Sequence, residues 1–409
     1  MPTFLTRPLP AAILLGLVAQ ALFSYRLGTP SKLMFDEIHY VPAARALLDL
    51  SYPLNTEHPL LGKALIAAGI ALFGDDAIGW RALSTVAGTA TVLGVYAILL
   101  TLFGSVRTAA LGGLLALLNF TIFVHARIAM LDGFMAAFVV LAVAAMLRGA
   151  RGRALLWWAV GSALLGLAVG VKWAAVPYVA GAGSTFLLLK WRSPHLWPGL
   201  GLLAGLTLLG LVSVAAYLLT FLPAFFYAAR PLTLATLLPF QLEMYRLQTQ
   251  VLSPHTYQSS WWTWPLMLRP IWYLYEPVNG VQRGVLLVGN PAVMWGGLVA
   301  VAACLWSVIR DRDWRMGGVA ALWIGSYAIW VIIPKSLGFF YYYYLPSIWL
   351  TVALAAAAHR YMRDKLENWD ESFLALAAGL FLYFYPILSA AALSSPGAFR
   401  RWTWFEGWV

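Results

Sequence analysis

Apolar runs of about twenty residues recur along the chain and constrain its fold more than any other feature. A run of this length can cross a bilayer as a helix. Charged residues make up only 11% of the chain, against about a quarter in soluble proteins. The sequence therefore predicts an all-α polytopic membrane protein with about eleven transmembrane helices, over 8–25, 79–103, 106–124, 130–147, 154–170, 173–189, 197–221, 285–309, 315–333, 339–358 and 372–393.

Basic residues fall on alternate connections between these runs, which predicts an orientation. Lysine and arginine are enriched on the cytoplasmic side of membrane proteins. We therefore predict a protein of the plasma (inner) membrane with a cytoplasmic N-terminus. The C-terminus and the large loops 26–78 and 222–284 are then external. The inner loops hold Arg107, Arg148, Arg151, Arg153, Lys190, Arg192, Arg310, Arg312, Arg315, Arg360, Arg363 and Lys365.

The net charge of +11 is explained by the basic residues of the inner loops. We therefore expect the lipid bilayer as a partner and no nucleic acid. The one cysteine, Cys304, excludes an internal disulfide. In the first external loop, the segments 38–50 and 59–73 have the apolar spacing of helices that lie at the membrane surface. We predict interfacial helices in the 222–284 loop as well.

Reactive side chains gather in the first external loop, in Phe35-Asp36-Glu37-Ile38-His39-Tyr40 and Glu57-His58-Pro59-Leu60-Leu61-Gly62-Lys63. Adjacent residues of a helix or strand point in different directions, so Asp36 and Glu37 are expected to have different roles. We interpret them as a general base and a substrate-orienting neighbour. A solvated pair, or a cap of the following helix, is the alternative.

Histidines near these acids raise the question of a metal. His39 and His58 could join the carboxylates as ligands, because imidazole and carboxylate both bind metals. Their spacing matches no familiar metal motif. We therefore predict no metal site and no required cofactor, with a divalent metal as the alternative.

Three cations lie near the predicted external ends of the spans. Arg127 and Asp132 flank one outer turn, Lys172 occupies another, and Arg269 follows a cluster of tryptophans. Ionisable groups at membrane depth are costly and usually functional. We predict that Arg127, Lys172 and Arg269 bind a phosphate. An Arg127–Asp132 pair and simple interfacial anchoring of Arg269 are the alternatives.

Together these features favour transfer from a lipid-phosphate donor at the external membrane surface. No inner loop is long enough for a nucleotide-binding domain, and no Walker or dinucleotide motif occurs. A transporter or lipid flippase is less favoured. Transporters place charged sites at mid-membrane between repeated halves, whereas here the charges lie at one surface.

In combination, the motifs resemble those of the protein O-mannosyltransferase family. Besides the two segments of the first loop, they are Trp80-Arg81 with Ser84 and Gly88, 126–132, Lys172-Trp173, 255–270, Gly289-Asn290-Pro291 and 340–346. The resemblance covers nearly the whole chain and implies a single GT-C transmembrane domain over 1–409. It implies inverting transfer of mannose from a polyprenyl or dolichyl phosphate to Ser or Thr of exported proteins.

The resemblance also implies roles for individual residues. Asp36 matches the leading candidate for the catalytic base, and we assign Glu37 to acceptor or sugar contacts. An association with secretion machinery or a dimer is left open. The remaining predicted substrate-binding residues are His39, His58, Lys63, Arg81, Asp132, His255, Tyr257, Trp261, Trp262 and Tyr344.

Some motifs depart from the family pattern. The family usually has His-Pro-Pro, often His-Pro-Tyr and Ser-Arg, where this chain has His58-Pro59-Leu60, His255-Thr256-Tyr257 and Ser259-Ser260. The 222–284 loop is too short for the sugar-binding-like domain of eukaryotic members. An acceptor other than protein, such as a glycolipid or a lipid A-like molecule, is therefore the alternative.

Overall fold

The computed structural model describes residues 7–333, 335–362 and 368–409, so the predicted inner-loop residues Arg363 and Lys365 lie outside the described residues. The α-helices are α1 Pro8–Ser24, α2 Glu37–Leu48, α3 Leu61–Phe73, α4 Ala77–Phe103, α5 Val106–Leu117, α6 Phe120–His125, α7 Leu131–Gly149, α8 Ala154–Val171, α9 Val176–Arg192, α10 Leu202–Leu219, α11 Leu234–Gln248, α12 Pro291–Asp311, α13 Trp314–Ile332, α14 Tyr344–Tyr361 and α15 Trp369–Leu388. The strands are β1 Ile271–Val278 and β2 Val281–Leu287.

Every predicted span overlaps a helix, but the predicted number of about eleven is not confirmed. Among the described residues, seven segments are long and apolar enough to cross a membrane: Ala77–Phe103, Leu131–Gly149, Ala154–Val171, Leu202–Phe226, Pro291–Asp311, Trp314–Ile332 and Trp369–Leu388. The predicted span 106–124 is interrupted. There α5 ends at Leu117, and the side chain of Asn119 caps a new helix by accepting a hydrogen bond from the Thr121 amide.

The helices group into two compact units. Unit 1 contains the described residues up to Phe35, with 95–127 and 251–409, and unit 2 contains 36–94 and 128–250. In unit 1, α14 is the central helix. Every residue from Tyr344 to Ala356 is buried, and α14 packs against α5, α12 and α13. In unit 2, α7 packs along α8, and α8 packs on α10. The prediction of one domain over 1–409 stays a prediction.

A β-hairpin in unit 1 was not expected from the sequence, which predicted only helices. β1 and β2 pair antiparallel from Ile271 opposite Leu287 to Val278 opposite Val281. Asn279 and Gly280 connect them with φ of 53° and 73°, the left-handed pair typical of a tight hairpin turn. The predicted span 285–309 therefore begins in a strand. Its helix starts only at Pro291, where the buried side chain of Asn290 accepts from the Ala292 amide.

The two helices predicted in the first loop are confirmed as α2 and α3, each within two residues of its expected bounds, and their location at the membrane surface stays a prediction. Both belong to unit 2, where they pack against each other. An apolar core lies beneath them and the second loop. It consists of Leu47, Leu60, Phe221, Ala224, Tyr227, Leu232 and Met244. This core holds α11 beside the segment that precedes α3.

Candidate active site

Asp36 lies at the start of α2 and is half-buried. The preceding residue, Phe35, has φ of 49°, a left-handed conformation that costs a bulky residue about 1–3 kcal/mol. The chain therefore turns sharply just before this carboxylate. Asp36 makes no side-chain capping bond to the helix, and the Tyr40 hydroxyl donates to its Oδ2 at 3.4 Å.

Burial raises the pKa of Asp36 to about 6. The positive charges of Lys172 and His39 and the Tyr40 hydrogen bond oppose this increase, whereas the charge of Asp132 adds to it. A carboxylate with a pKa near 6 is mostly ionised at neutral pH yet accepts a proton readily. This is the property required of a general base.

Glu37 has a different environment, although it is the next residue. Its side chain is fully buried and accepts from Arg81 Nε at 2.7 Å and Arg81 NH2 at 2.8 Å. Its Oε1 also accepts from the Ala129 amide at 2.9 Å. Substrate contacts of Glu37 and Arg81 stay a prediction. Because a buried carboxylate needs a charged partner, these two side chains hold α2, α4 and residue 129 together.

Lys172 and Asp132 form a second ion pair, which lies close to Asp36. Lys172 Nζ lies 3.0 Å from Oδ1 and 2.9 Å from Oδ2 of Asp132. The packing of α7 along α8 brings them together, because Asp132 lies in the first turn of α7 and Lys172 follows the last residue of α8. The helices α7 and α8 both pack closely against α3. A Cβ atom on Gly62 would lie 2.5 Å from Leu131 and 3.1 Å from Val171.

Lys63 was predicted to bind substrate, but its ammonium group faces the protein interior. It is 1% exposed and donates to the main-chain carbonyls of Asn55 at 2.6 Å, His58 at 2.8 Å and Leu54 at 3.4 Å. These contacts have a physical cause. An ammonium group has three N–H donors, and the carbonyls of the irregular segment before α3 are its acceptors.

The two predicted histidines of the first loop have different exposures. His39 is exposed on α2, whereas His58 is half-buried. The His58 ring lies edge-on to the Tyr40 ring, with centroids 6.0 Å apart. His58 and Asp36 therefore both contact Tyr40. Within the described ranges, no three His, Cys, Asp or Glu side chains are grouped so that they could hold a metal. The absence of a required cofactor stays a prediction.

Arg127 was predicted to bind phosphate, but in unit 1 it stabilises the end of a helix. Its guanidinium donates to the carbonyls of Phe23 at 2.7 Å, Tyr25 at 2.6 Å and Arg26 at 3.2 Å. Phe23 lies in the last turn of α1, and Tyr25 and Arg26 follow that helix, where helix geometry leaves carbonyls without intrahelical partners. The charge of Arg127 thus meets the negative end of a helix, and its phosphate contact stays a prediction.

The part of the second loop that belongs to unit 1 holds the predicted residues His255, Tyr257, Trp261, Trp262 and Arg269. Arg269 donates to the carbonyls of Gly407, Val409 and Thr256, and its guanidinium lies 5.8 Å from the Tyr257 ring. It therefore fastens the loop to the chain near Val409, and a phosphate contact stays a prediction. The rings of His255 and Tyr257 lie 6.1 Å apart, and the exposed Trp261 and Trp262 suit a membrane interface.

Tyr344 belongs to an aromatic cluster whose other members the sequence did not single out. Its ring stacks on His125 at 4.0 Å, and the Tyr273 hydroxyl lies 3.4 Å from His125 Nε2. Tyr273 in turn stacks on Phe35 at 4.3 Å. His125 could have been noticed two residues before Arg127. Tyr273 could not, because it lies in the unexpected hairpin.

Two models of one protein family match most of the chain. "Dolichyl-phosphate-mannose-protein mannosyltransferase" matches residues 57–218, and "C-terminal four TMM region of protein-O-mannosyltransferase" matches residues 233–408. The chain belongs to the protein O-mannosyltransferase family. This confirms the resemblance drawn from the motifs.

Individual proteins agree with this family. A polyprenol-phosphate-mannose–protein mannosyltransferase of Mycolicibacterium smegmatis is 27% identical, over 93% of this chain and 88% of its own length. The S. cerevisiae Pmt1-Pmt2 complex bound to the sugar donor matches with a TM-score of 0.84 at 14% identity, over 98% of this chain and 92% of that chain. ArnT from Cupriavidus metallidurans matches with a TM-score of 0.58 at 18% identity, over 85% of this chain and 59% of that chain. The fold is that of the GT-C transferases.

Proposed function

We propose that the protein is an inverting glycosyltransferase that moves mannose from a polyprenyl-phosphate-mannose donor to Ser or Thr hydroxyls of exported proteins. The observation that carries this proposal is the half-buried Asp36, whose pKa is raised to about 6 beside the Lys172–Asp132 pair. The name of the mycobacterial relative supports the donor and the protein acceptor.

In the proposed reaction, Asp36 accepts the proton of the acceptor hydroxyl as its oxygen attacks the anomeric carbon. The bond between that carbon and the donor phosphate breaks, and its electron pair leaves with the polyprenyl phosphate. Attack opposite the leaving group inverts the anomeric carbon. The Tyr40 hydroxyl, which donates to Asp36, holds the carboxylate in place during proton transfer.

Lys172 is the cation we assign to the leaving phosphate. A positive charge held near the developing negative charge stabilises the transition state. Of the three predicted phosphate-binding cations, Lys172 is the one whose charge also lowers the pKa of Asp36. Asp132 holds its ammonium group through two contacts at 2.9–3.0 Å. Arg127 and Arg269 donate to main-chain carbonyls and support the surrounding structure.

We place the reaction on the external face of the plasma membrane, with the N-terminus in the cytoplasm. The clustering of Arg and Lys on the loops that do not contain Asp36 supports this orientation. Reporter fusions after Leu50 and after Val409 should both report export. A cytoplasmic signal from either would contradict the orientation. An association with a second copy or with secretion machinery stays a prediction.

The deciding experiment is an assay of purified protein in lipid nanodiscs. Polyprenyl-phosphate mannose is supplied with a peptide that contains Ser and Thr, and parallel reactions contain a lipid A-like glycolipid acceptor. We expect mannose on the peptide with inverted anomeric configuration. A matched peptide with Ala in place of Ser and Thr is the control. Transfer to the glycolipid alone would refute the protein acceptor, and no use of the mannosyl donor would refute the whole proposal.

A further inference from the structure

The segment 54–58, which precedes α3 and carries His58, is held by two side chains that no proposed reaction step uses. Lys63 donates to the carbonyls of Leu54, Asn55 and His58 from inside. Gln248, the last residue of α11, donates from Nε2 to the Glu57 carbonyl at 2.7 Å. Main-chain carbonyls removed from water need such partners. Four carbonyls of one short irregular segment are therefore fixed by these two side chains.

The segment is also connected to the proposed base. His58, at its end, packs its ring edge against the ring of Tyr40, which is only 3% exposed. The hydroxyl of Tyr40 donates to Asp36 Oδ2. A displacement of the segment would release the Tyr40 ring and lengthen this hydrogen bond, which is already at 3.4 Å. A contact between side chains thus joins the segment to the carboxylate.

We propose that Lys63 and Gln248 are positioning residues, which hold the segment 54–58 against Tyr40 and thereby orient Asp36, and that neither contacts substrate. The inference rests on the proposed function, because it assumes that Asp36 is the base. It accounts for the burial of a lysine whose donors all face carbonyls of one segment. It also assigns a role to the end of α11, which lies in a different external loop from Asp36 along the chain.

Gln248→Glu is the most informative variant, because it keeps the size and shape of the half-buried side chain and removes the N–H donor. We expect kcat to fall by roughly 10- to 100-fold, since a small misplacement of a catalytic group has effects of this size. The KM for donor and for peptide should change little. Arg246→Gln is the matched control on the same helix, because Arg246 is exposed and forms an ion pair with the exposed Glu243 at 3.7 Å. It should leave kcat unchanged.

The pH profile separates positioning from a general loss of folding. The Tyr40 hydrogen bond lowers the pKa of Asp36, so its loss raises that pKa. The acidic limb of kcat should therefore shift to higher pH in Tyr40→Phe, and also in Gln248→Glu. If Tyr40→Phe and Gln248→Glu both act through the contact between the segment 54–58 and Tyr40, the kcat of the double variant should be no lower than that of the worse single variant. A merely destabilised protein would lose active fraction without moving the limb.

Lys63→Met provides an independent test, with gel filtration and thermal unfolding to establish that it folds. We expect the same shift of the acidic limb and a fall in kcat. Should Lys63→Met fail to fold, the Gln248→Glu and Tyr40→Phe cycle decides the question. A raised KM at unchanged kcat in a folded Lys63→Met would instead make Lys63 a substrate contact and overturn the inference. Strictly additive effects of Gln248→Glu and Tyr40→Phe on kcat would also overturn the inference. Absence of mannose transfer by the wild type would refute the proposed function itself.

Discussion

Unit 2 contains two buried ion pairs that look alike and have different surroundings. Each joins a carboxylate in the first turn of a helix to a cation from another part of the chain. Glu37 and Arg81 are both 0% exposed, and the carboxylate also accepts a main-chain amide. Asp132 and Lys172 are slightly exposed, at 5% and 10%, and the charges of both change the pKa of Asp36. The enclosed pair connects α2 with α4, whereas the charges of the second pair act on Asp36.

The same difference in surroundings distinguishes Asp36 from its neighbour Glu37, although both are acidic residues. Asp36 and Glu37 are both acids at the start of α2, but Glu37 forms an ion pair with the fully buried Arg81. Loss of hydration raises the pKa of Asp36, and a buried carboxylate of this kind destabilises the fold when it is ionised. Substitutions at the two positions should therefore have opposite effects on stability.

The largest effect is expected for Asp36→Asn, which is nearly isosteric but cannot accept a proton. Turnover should fall by about 10²–10⁴-fold. Because the folded-state pKa lies above the unfolded value, Asp36 stabilises the fold below pH 3.8 and this contribution is lost as pH rises through about 6. At pH 7 the uncharged Asn should therefore raise the free energy of unfolding, by at most about 3 kcal/mol. Initial rates and thermal unfolding check both effects. Near wild-type turnover in folded protein would remove Asp36 as the base.

Breaking the enclosed pair should affect stability instead. Glu37→Gln removes the negative charge of this pair while Arg81 stays buried, and breaking a buried ion pair in this way costs about 3–5 kcal/mol. We expect a lower unfolding temperature and less protein recovered from membranes. The matched control is Glu37→Leu with Arg81→Met, which removes both charges and should recover part of the lost stability. A stable Glu37→Gln protein with only a raised KM for the acceptor would restore the sequence-based role of Glu37.

Substitutions of the two partners in the Lys172–Asp132 pair should have different effects on the rate. Lys172→Met removes the cation, and kcat/KM for the donor should fall by roughly 10²-fold, as with other transition-state charge contacts. Asp132→Asn keeps that cation and should reduce the rate less. Steady-state kinetics against donor concentration distinguish the two variants. Equal losses from both would mean that the pair, like Glu37–Arg81, acts only through the fold.

The smallest effect concerns pH. Because the base must be ionised, kcat should rise about tenfold per pH unit up to about pH 6 and level off above it. The Asp132 charge raises the pKa of Asp36, so Asp132→Asn should move the acidic limb to lower pH. Rates measured between pH 4.5 and 8 on the same nanodisc samples test this shift. An unmoved limb would mean that Asp132 does not act on the titrating base.

Local sequence patterns predicted α2, α3 and the different environments of Asp36 and Glu37, because side-chain direction follows from helix geometry. They could not predict the partner of Glu37, since Arg81 lies 44 residues further along the chain. The contacts of Lys63 and Arg127 with main-chain carbonyls were not predicted either. Which carbonyls need a side-chain donor depends on how the chain packs, and this packing cannot be deduced from a single sequence.

The contacts of Glu37 also set an order for the biogenesis of the protein. Its two partners, Arg81 and the amide of Ala129, follow it by 44 and 92 residues. At a synthesis rate of about 5–20 residues per second, Arg81 leaves the ribosome roughly 2–9 seconds after Glu37. During that interval the carboxylate remains hydrated, and α2 cannot settle against α4. Completion of the amide contact waits for Ala129, two residues before α7. The segment that carries Asp36 and Glu37 is thus synthesised early but assembled late, and its assembly depends on correct insertion of the helices that follow it.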